Sequence, residues 1–446
     1  MDLDRHIAER LEAAVPAGAA ICVALSGGLD SMVLLDALDR LARARGHALT
    51  AVHVHHGLSP NAEAWAAFCE AACGERGIAC DVERVQVRRD GGEGLEAAAR
   101  EARHAIYAAR AEAIVALAHH LDDQAETLLL QLLRGAGLRG LAAMAELRPI
   151  EGSRVALFRP LLAVPRAALR EQASARRIAW IEDESNASLE HDRNYLRHEI
   201  APRLDARFPG WRRAALRCAG HAAEAQSLLA VLGRLDGAPA LAQAGLALDA
   251  TLAPSRRANA VRAFLATEGL AMPSEARLAE IARQLYEARA DARMRIAHDG
   301  ATLVRHRGVA HVLRAEAQRG DAAAWRVGWS GEADLDLGPG HGRVRFTAAS
   351  GAGIAAARCA AGDWHFAARR GGERMRLVAG GPTRTLKNLL HEAAIPEWQR
   401  SRLPLLFHAG RVAWVPGVGI AAEIACAPGE AGLVPAWSPA FSALVG

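Results

Sequence analysis

The sequence predicts an α/β fold with a doubly wound parallel sheet, followed by a mainly helical middle domain and a small α+β C-terminal domain. Three observations carry this reading. Short apolar runs alternate with helical stretches over roughly the first 200 residues, the pattern of a parallel sheet covered on both faces. A glycine-rich turn, Ser26-Gly27-Gly28-Leu29-Asp30-Ser31, links the first run to the first of those helices. Beyond residue 203 or so, Ala-rich segments of helical character take over.

The predicted strands are the Val- and Ile-rich runs at 20–25, 49–54, 81–87 and 113–118. Helices are expected at 31–44, 60–76, 95–111 and 123–134. Ligands in such a sheet bind beyond the carboxyl ends of the strands, and the polar motifs lie there. Further helices are expected at 213–232, 255–268 and 275–288, then a hairpin at 293–313 turning at Arg307-Gly308. A Gly- and Ala-rich stretch at 317–358 reads as a linker, despite alternating pieces such as Gly342-Arg343-Val344-Arg345-Phe346. The remainder carries a basic loop, a helix and two short strands. The expected domains are therefore 1–205, 206–316 and 359–446, consistent with about 150 residues per domain.

Composition narrows the class. Net charge is only +4 across 446 residues, yet Lys387 is the sole lysine, so nearly all positive charge is arginine. Arginine suits bidentate phosphate contact, but a GC-rich genome favouring Ala, Arg and Gly codons is the better explanation of the bias. The 7 cysteines are scattered with no C-x-x-C, against a disulfide framework, a zinc site or an iron–sulfur cluster. The opening Met1-Asp2-Leu3-Asp4-Arg5-His6 lacks the features of a signal peptide. No apolar stretch approaches the roughly 20 residues of a membrane span. A soluble, cytoplasmic protein without membrane association is expected.

A strand, a glycine turn and a helix N-terminus together form an anion site: the backbone approaches closely and unpaired N–H groups point at the ligand. Ser26 and Ser31 add hydroxyls, and Asp30 is suited to holding Mg²⁺ on phosphates. The Gly-Lys-Ser/Thr ending of the ATPase P-loop is absent. After the fourth run, Ala118-His119-His120-Leu121-Asp122-Asp123-Gln124-Ala125-Glu126-Thr127 opens a helix that Asp122 or a neighbour can cap. Asp123 and Glu126, three apart, share a face and could meet a cation; alone, they would pass for an ordinary acidic first turn. His53 and His55 share a strand face, but no third metal ligand is evident. His53 instead reads as a ring near the nucleotide base or as closure of the strand end. Arg100 and Arg103 lie on one helix, either solvated and paired with Glu96 or reaching an anion. Arg134-Gly135-Ala136-Gly137 suits a left-handed helix end. Polar segments follow at 182–186 and at Arg193-Asn194-Tyr195-Leu196-Arg197, and a basic loop at 369–376 precedes Lys387.

Taken together these motifs resemble the tRNA(Ile)-lysidine synthetase family of the PP-loop ATP-pyrophosphatase superfamily. The resemblance rests on SGGLDS, VHVHHGL at 52–58, EAAAREARHAIY at 96–107 and AHHLDDQAETLLLQLLRGAGLRGL at 118–141. It continues through EDESN and RNYLR at 182–197, RRGGERMRL at 369–377 and the block from LKNLL to VPGVGI at 415–420. It implies a Rossmann-like PP-loop domain, ATP and Mg²⁺, L-lysine, and a tRNA(Ile) bearing a CAU anticodon. The implied reaction adenylates the C2 oxygen of the wobble cytidine, after which the lysine ε-amine displaces AMP and switches decoding from AUG to AUA.

By resemblance, Ser26, Gly27, Gly28, Leu29, Asp30, Ser31 and His53 would hold the nucleotide, with Asp30 also the metal ligand. Asp30, Asp123, Glu126 and Arg100 would be catalytic; Asp123 and Glu126 would receive lysine. Arg103, Arg193, Asn194, Arg197, Arg370, Arg374 and Lys387 would contact lysine or tRNA. Both later domains would grip the tRNA, and a homodimer is compatible. The family often has two adjacent lysines where this chain has Lys387-Asn388. The rival readings are a thiolating enzyme of the same superfamily, for which no C-x-x-C is present, and a non-catalytic nucleotide- and tRNA-binding protein.

Overall fold

Alternating strand residues of the first unit enter two separate cores, which is why the sheet is covered on both sides. Ile21, Val23, Ala51, Ile114, Ala116 and Phe158 face one core. Cys22, Val52, Val115 and Leu157 face the other. The computed structural model describes residues 2–57, 59–85, 95–182, 191–238, 245–289, 294–314, 325–359 and 362–439. The chain divides into two compact units, 1–228 and 229–446.

In the first unit the elements are α1 (Leu3–Ala14), β1 (Ile21–Ala24), α2 (Leu29–Ala44), β2 (Leu49–His55), α3 (Ala62–Gly74), β3 (Ala79–Arg84), α4 (Leu95–Ala108), β4 (Ile114–Ala116) and α5 (Leu121–Leu133). They are followed by α6 (Leu138–Leu141), β5 (Leu147–Pro149), β6 (Ala156–Phe158), α7 (Arg166–Arg176), α8 (Asp192–Tyr195), a π-helical turn (Leu196–Ile200), α9 (Ala201–Arg207) and α10 (Trp211–Gly237). α10 continues past the unit boundary. The sheet order is β3-β2-β1-β4-β6-β5, with all pairs parallel except the β5–β6 edge. The order therefore reverses between β1 and β4, a topological switch point. α1 was not foreseen, although Leu3, Ile7 and Leu11 repeat every four residues and are buried.

The second unit begins with a helix pair on a small antiparallel sheet. β7 (Leu246–Ala247), α11 (Pro254–Thr267), α12 (Glu275–Glu287), β8 (Arg295–His298), β9 (Ala301–His306) and β10 (Val309–Arg314) form it, with strand order β7-β10-β9-β8. Phe264, Leu265, Ile281 and Leu285 cover Ile296 and Leu303. The β9–β10 turn lies at Arg307-Gly308 as expected; φ is +48° and +79°, the two positive values of a type I′ hairpin turn.

The stretch read as a linker is a correction. Among its described residues it forms β11 (Arg326–Gly328), β12 (Asp334–Asp336), β13 (Arg343–Ser350), β14 (Ile354–Ala355) and the short helix α13 (Ala356–Cys359). Trp329, Leu337, Val344, Phe346 and Ile354 enter the same core as the residues after 362. These strands are short, and their partners lie far along the chain, so local composition concealed them. β15 (Trp364–Ala367), β16 (Arg374–Met375), β17 (Arg384–Thr385), α14 (Leu386–Glu392), α15 (Glu397–Arg400), β18 (Leu405–His408), β19 (Arg411–Val415), β20 (Gly419–Ile420) and β21 (Ala431–Ser438) complete the fold. Its sheets run β11-β15-β18-β19-β20, β12-β13-β21-β14 and β16-β17. Two short strands were expected here; the region is predominantly antiparallel sheet.

Candidate active site

The glycine turn leaves β1 and enters α2 in a conformation that requires its first glycine. Gly27 has φ +81°, and a Cβ there would stand 2.9 Å from Ile181 Cδ1 and 3.2 Å from Cys69 Sγ. Its carbonyl accepts a hydrogen bond from Ile181 N at 2.9 Å. Gly28 is the N-cap of α2 and makes no side-chain capping bond, so the first-turn N–H groups remain available to an anion. Ser31 Oγ donates to the Gly28 carbonyl at 3.0 Å, lies 3.1 Å from Ser26 Oγ, and accepts from Ser26 N at 3.3 Å. The hydroxyls expected to meet phosphate thus also hold the loop's shape.

β4 delivers a second polar cluster at the same edge of the sheet. His120, rather than Asp122, is the N-cap of α5: its Nδ1 accepts from Asp123 N at 3.4 Å, while Asp123 Oδ2 accepts from His120 N at 3.1 Å. Its Nε2 lies 3.5 Å from Asp30 Oδ2 and 3.4 Å from Asp123 Oδ2. Burial opposes charge on this ring, but Asp30, Asp123 and Asp122 outweigh it and raise its pKa. Asp122, its Oδ2 3.7 Å from His120 Nδ1, also accepts from Arg166 N at 3.0 Å and pairs with Arg212 Nε at 2.7 Å. His120, Arg166 and Arg212 were not singled out as site residues from sequence. The signal available for His120 was its place immediately before the acidic first turn.

Asp123 and Glu126 do converge, as their spacing implies, and two arginines from the segment after residue 191 meet them. Arg193 Nε donates to Glu126 Oε2 at 3.1 Å, and its Nη2 to Thr127 Oγ1 at 2.9 Å. Arg197 donates to Glu126 through Nε and Nη2, both at 2.8 Å, and to Asp123 Oδ1 at 3.1 Å. Burial pulls against ionisation of Asp123, yet His120 and Arg193 hold its pKa below the ordinary carboxylate range. Asn194, from the same segment, is buried. Asp183, Glu184, Ser185 and Asn186 lie outside the described residues.

His53 is buried beneath the end of β1. Its Nδ1–H donates to the Leu25 carbonyl at 2.9 Å, with Cys69 Sγ 3.5 Å from the same nitrogen. That bond ties β2 to the end of β1. Burial lowers the pKa of this ring. Arg100 lines a cavity of about 610 Å³ in the same unit, whereas Arg103 acts on His56, whose pKa burial and that arginine push down to about 4. The Glu96 side chain lies outside the described residues. Gly135 takes φ +68° just past α5, the left-handed helix end expected there.

The metal reading passes a test of fit. Asp30 Oδ1 is buried without a hydrogen-bond partner, with Arg166 Nε 3.6 Å away as its ion-pair neighbour, and is a hard oxygen donor beside the phosphate loop. Among the described residues, no group of three or more His, Cys, Asp or Glu could hold an ion alone. Mg²⁺ suits this setting, since it takes one or two carboxylates and draws its other ligands from phosphates and water. No helix among the described residues is long and apolar enough to cross a membrane.

In the second unit, Arg370, Arg374 and Lys387 are exposed. Glu373 shapes their loop by accepting from Arg370 N at 2.5 Å and Gly371 N at 2.7 Å. Arg374 Nη2 reaches the Thr383 carbonyl at 3.1 Å.

Three protein-family matches cover the chain: residues 3–204 match a PP-loop domain, 250–311 a TilS substrate binding domain and 365–437 a TilS substrate C-terminal domain. The tRNA(Ile)-lysidine synthase of Azoarcus sp. (strain BH72) is 46% identical over 439 residues, spanning 97% of this chain and 95% of that protein. The enzyme of the same name from Nitrosomonas europaea is 40% identical, over 96% of this chain and 94% of its own. That of Aromatoleum aromaticum is 43% identical, over 95% and 99%.

Proposed function

The chain belongs to the tRNA(Ile)-lysidine synthase family, and on that premise we propose that it ligates L-lysine to C2 of the wobble cytidine in a tRNA(Ile) with a CAU anticodon. It is an ATP-dependent ligase that forms a carbon–nitrogen bond. In the first step the cytidine O2 attacks the α phosphorus of ATP and pyrophosphate leaves. In the second, the lysine ε-amine attacks C2, gives up a proton, and AMP departs with the former O2.

One observation carries the reading: the phosphate loop at Ser26–Ser31 and the acid pair Asp123 and Glu126 are joined through His120, which contacts both Asp30 and Asp123. Activation and aminolysis must occur at adjacent points, and positioning of this kind supplies much of the rate. Backbone N–H groups at the start of α2 and the hydroxyls of Ser26 and Ser31 would orient the triphosphate. Asp30 would hold Mg²⁺, which when bound neutralises charge on the phosphates. Asp123 and Glu126 would receive the lysine ammonium, with Arg193 and Arg197 yielding part of their present hold. Arg100 would steady the adenylated base, with Arg103 nearby. Arg370, Arg374 and Lys387 would contact tRNA phosphates, which set register rather than sequence. Cys69 and Cys73 are buried, unsuited to the exposed sulfur chemistry of a thiolating enzyme. An enzyme that consumes ATP and tRNA works in the cytoplasm, and a homodimer is tested by sizing the purified chain.

The deciding experiment incubates the purified protein with ATP, Mg²⁺, labelled lysine and total bacterial tRNA. Label entering an isoleucine tRNA with a CAU anticodon is expected. No label in any RNA, with pyrophosphate never released, overturns the proposal.

A further inference from the structure

Three cysteines meet in one core of the first unit. Cys69 and Cys73 stand four residues apart on α3 and are fully buried, and the half-exposed Cys80 of β3 packs against the same core. The end of α3 brings the last two together. Ile78 N donates to the Cys73 carbonyl at 3.0 Å, and Gly77 takes φ +66° between them. This left-handed ending folds the chain back along the last turn of its own helix. Cys80 lies two residues beyond Ile78 and so on the same strand face, and Ile78 is buried in that core. The Cys73 and Cys80 thiols are hydrogen-bonded to each other.

The two sulfurs are chemically unequal. The bond from Cys80, helped by the Arg76 charge, holds the Cys73 pKa below that of an ordinary thiol in spite of burial. The same bond, with burial, pushes Cys80 up, so its sulfur keeps the proton it donates. Burial drives Cys22 and Cys69 up to about 12, and both remain thiols. A sulfur that ionises easily, beside one that holds its proton, suits oxidation of the first and resolution by the second. Cys80 gives the pair its opening to solvent.

Cys69 connects this pair to the phosphate loop. It sits one turn before Cys73, with its Sγ 3.5 Å from His53 Nδ1 and 3.2 Å from where a Cβ on Gly27 would stand. Phe68 Cδ1 is 3.6 Å from the same point. The first glycine of the loop therefore rests against α3, and a shift of that helix reaches it directly.

We propose that Cys73 and Cys80 form a reversible disulfide when the chain meets hydrogen peroxide, and that this bond weakens the hold of the phosphate loop on ATP. The Cys73 sulfur attacks one peroxide oxygen. An S–O bond forms, the O–O bond breaks, and the departing hydroxide takes up the proton that Cys73 released. The Cys80 sulfur then attacks the sulfenic sulfur of Cys73. The S–S bond forms, the S–O bond breaks, and the hydroxide leaves as water with the Cys80 proton. Two thiols give up two electrons, and one peroxide becomes two waters. A covalent bond between the sulfurs is shorter than the hydrogen bond it replaces, so closing it draws the end of α3 toward β3 and shifts Cys69 and Phe68 against Gly27. The inference rests on the reading of Ser26–Ser31 as the ATP site.

The test exposes the reduced full chain to hydrogen peroxide, alkylates the remaining thiols, digests it and weighs the peptides. A Cys73–Cys80 cross-link is expected, and a dithiol reductant should remove it. Calorimetric titration with ATP and Mg²⁺ should show the oxidised chain binding about tenfold more weakly, a small part of what ångström-scale misplacement can cost. Reduction should restore the parent affinity. Cys80→Ala, at a half-exposed position, should give no cross-link and leave Cys73 as a sulfenic acid that dimedone traps after denaturation. Cys73→Ala should keep its ATP affinity through the peroxide treatment, with circular dichroism checking that both variants fold. No cross-link in the parent, or a link to Cys69 instead, overturns the pairing. A cross-link that leaves ATP affinity unchanged overturns the switch. Neither readout uses lysine or RNA: a chain that switches but never labels tRNA defeats only the proposed function, and one that labels tRNA but never cross-links defeats only this inference.

Discussion

Arg197 clasps both carboxylate oxygens of Glu126, Nε to Oε1 and Nη2 to Oε2, each at 2.8 Å. With Arg193 Nε a further 3.1 Å from Oε2, the acid seat is filled by the protein's own cations before any substrate arrives. A lysine ammonium must therefore share Glu126 or displace a guanidinium. Glu126→Gln removes the charge and keeps the shape. It should raise KM for L-lysine by about tenfold or more, the worth of a charge-assisted hydrogen bond, while KM for ATP moves less than about twofold. Two arginines would be left facing a neutral amide, and the fold should lose about 3 kcal/mol. Parent and variant with equal KM for lysine would remove Glu126 from that seat.

Asp30 separates the metal question from the lysine question. Its Oδ2 is 3.5 Å from His120 Nε2, and its Oδ1, without a hydrogen bond, lies 3.6 Å from Arg166 Nε. Asp30→Ala should cut pyrophosphate release by about a thousandfold or more, the scale of losing a group that stabilises transition-state charge. Binding of the tRNA transcript should be unchanged. Pyrophosphate release at the parent rate would reject the role.

Gly27 tests the loop by backbone geometry. Alanine there would take φ +81° and bring its Cβ within 2.9 Å of Ile181 Cδ1. The conformational cost alone is about 1–2 kcal/mol, and Ile181 must shift in addition. Gly27→Ala should lower the melting temperature and raise KM for ATP. Gly28→Ala, with nothing nearer than 3.5 Å and a negative φ, should be milder in both respects. Equal effects at the two positions would mean the loop does not require its first glycine.

The α/β core was legible because its signals are local. The run at 49–54 became β2 and the stretch at 31–44 lies within α2, since strand and helix periods are written in consecutive residues. The acid pair was legible for the same reason. The arginines that neutralise it were named, but their partners were not, because Arg197 meets Glu126 across 71 residues of chain. β13 was hidden likewise, because it pairs with β21 from Arg343↔Ser438 to Ser350↔Ala431.

That pairing changes how tRNA gripping by the C-terminal region is tested. Removing residues from 360 onward would take away β21 and leave Val344 and Phe346 of the shared core uncovered. Weakened binding would then report unfolding. Arg370→Gln combined with Arg374→Gln and Lys387→Gln leaves the core untouched, as all three are exposed. Affinity for the tRNA should fall. The salt slope should flatten by about 0.9 for each duplex-RNA phosphate left without its cation, taking the duplex DNA value. An unchanged slope would exclude this loop from the tRNA interface.

Glu112 gives the fold a defined acid sensitivity. It accepts from Thr50 Oγ1 at 2.5 Å and from Arg110 Nε and Nη2 at 3.1 and 3.0 Å. Burial works against its charge, but Arg110 and Thr50 prevail and bring its pKa from 4.5 down to about 2. The folded chain keeps Glu112 ionised where the unfolded chain has already taken up a proton. Its contribution is thus complete above about pH 4.5 and is lost as pH falls toward 2. Glu112→Gln should cost about 3 kcal/mol at neutral pH. The gap in melting temperature between parent and variant should be widest above pH 4.5 and narrow with acidification. A gap that stays constant down to the acid limit would show that this carboxylate does not tie stability to pH.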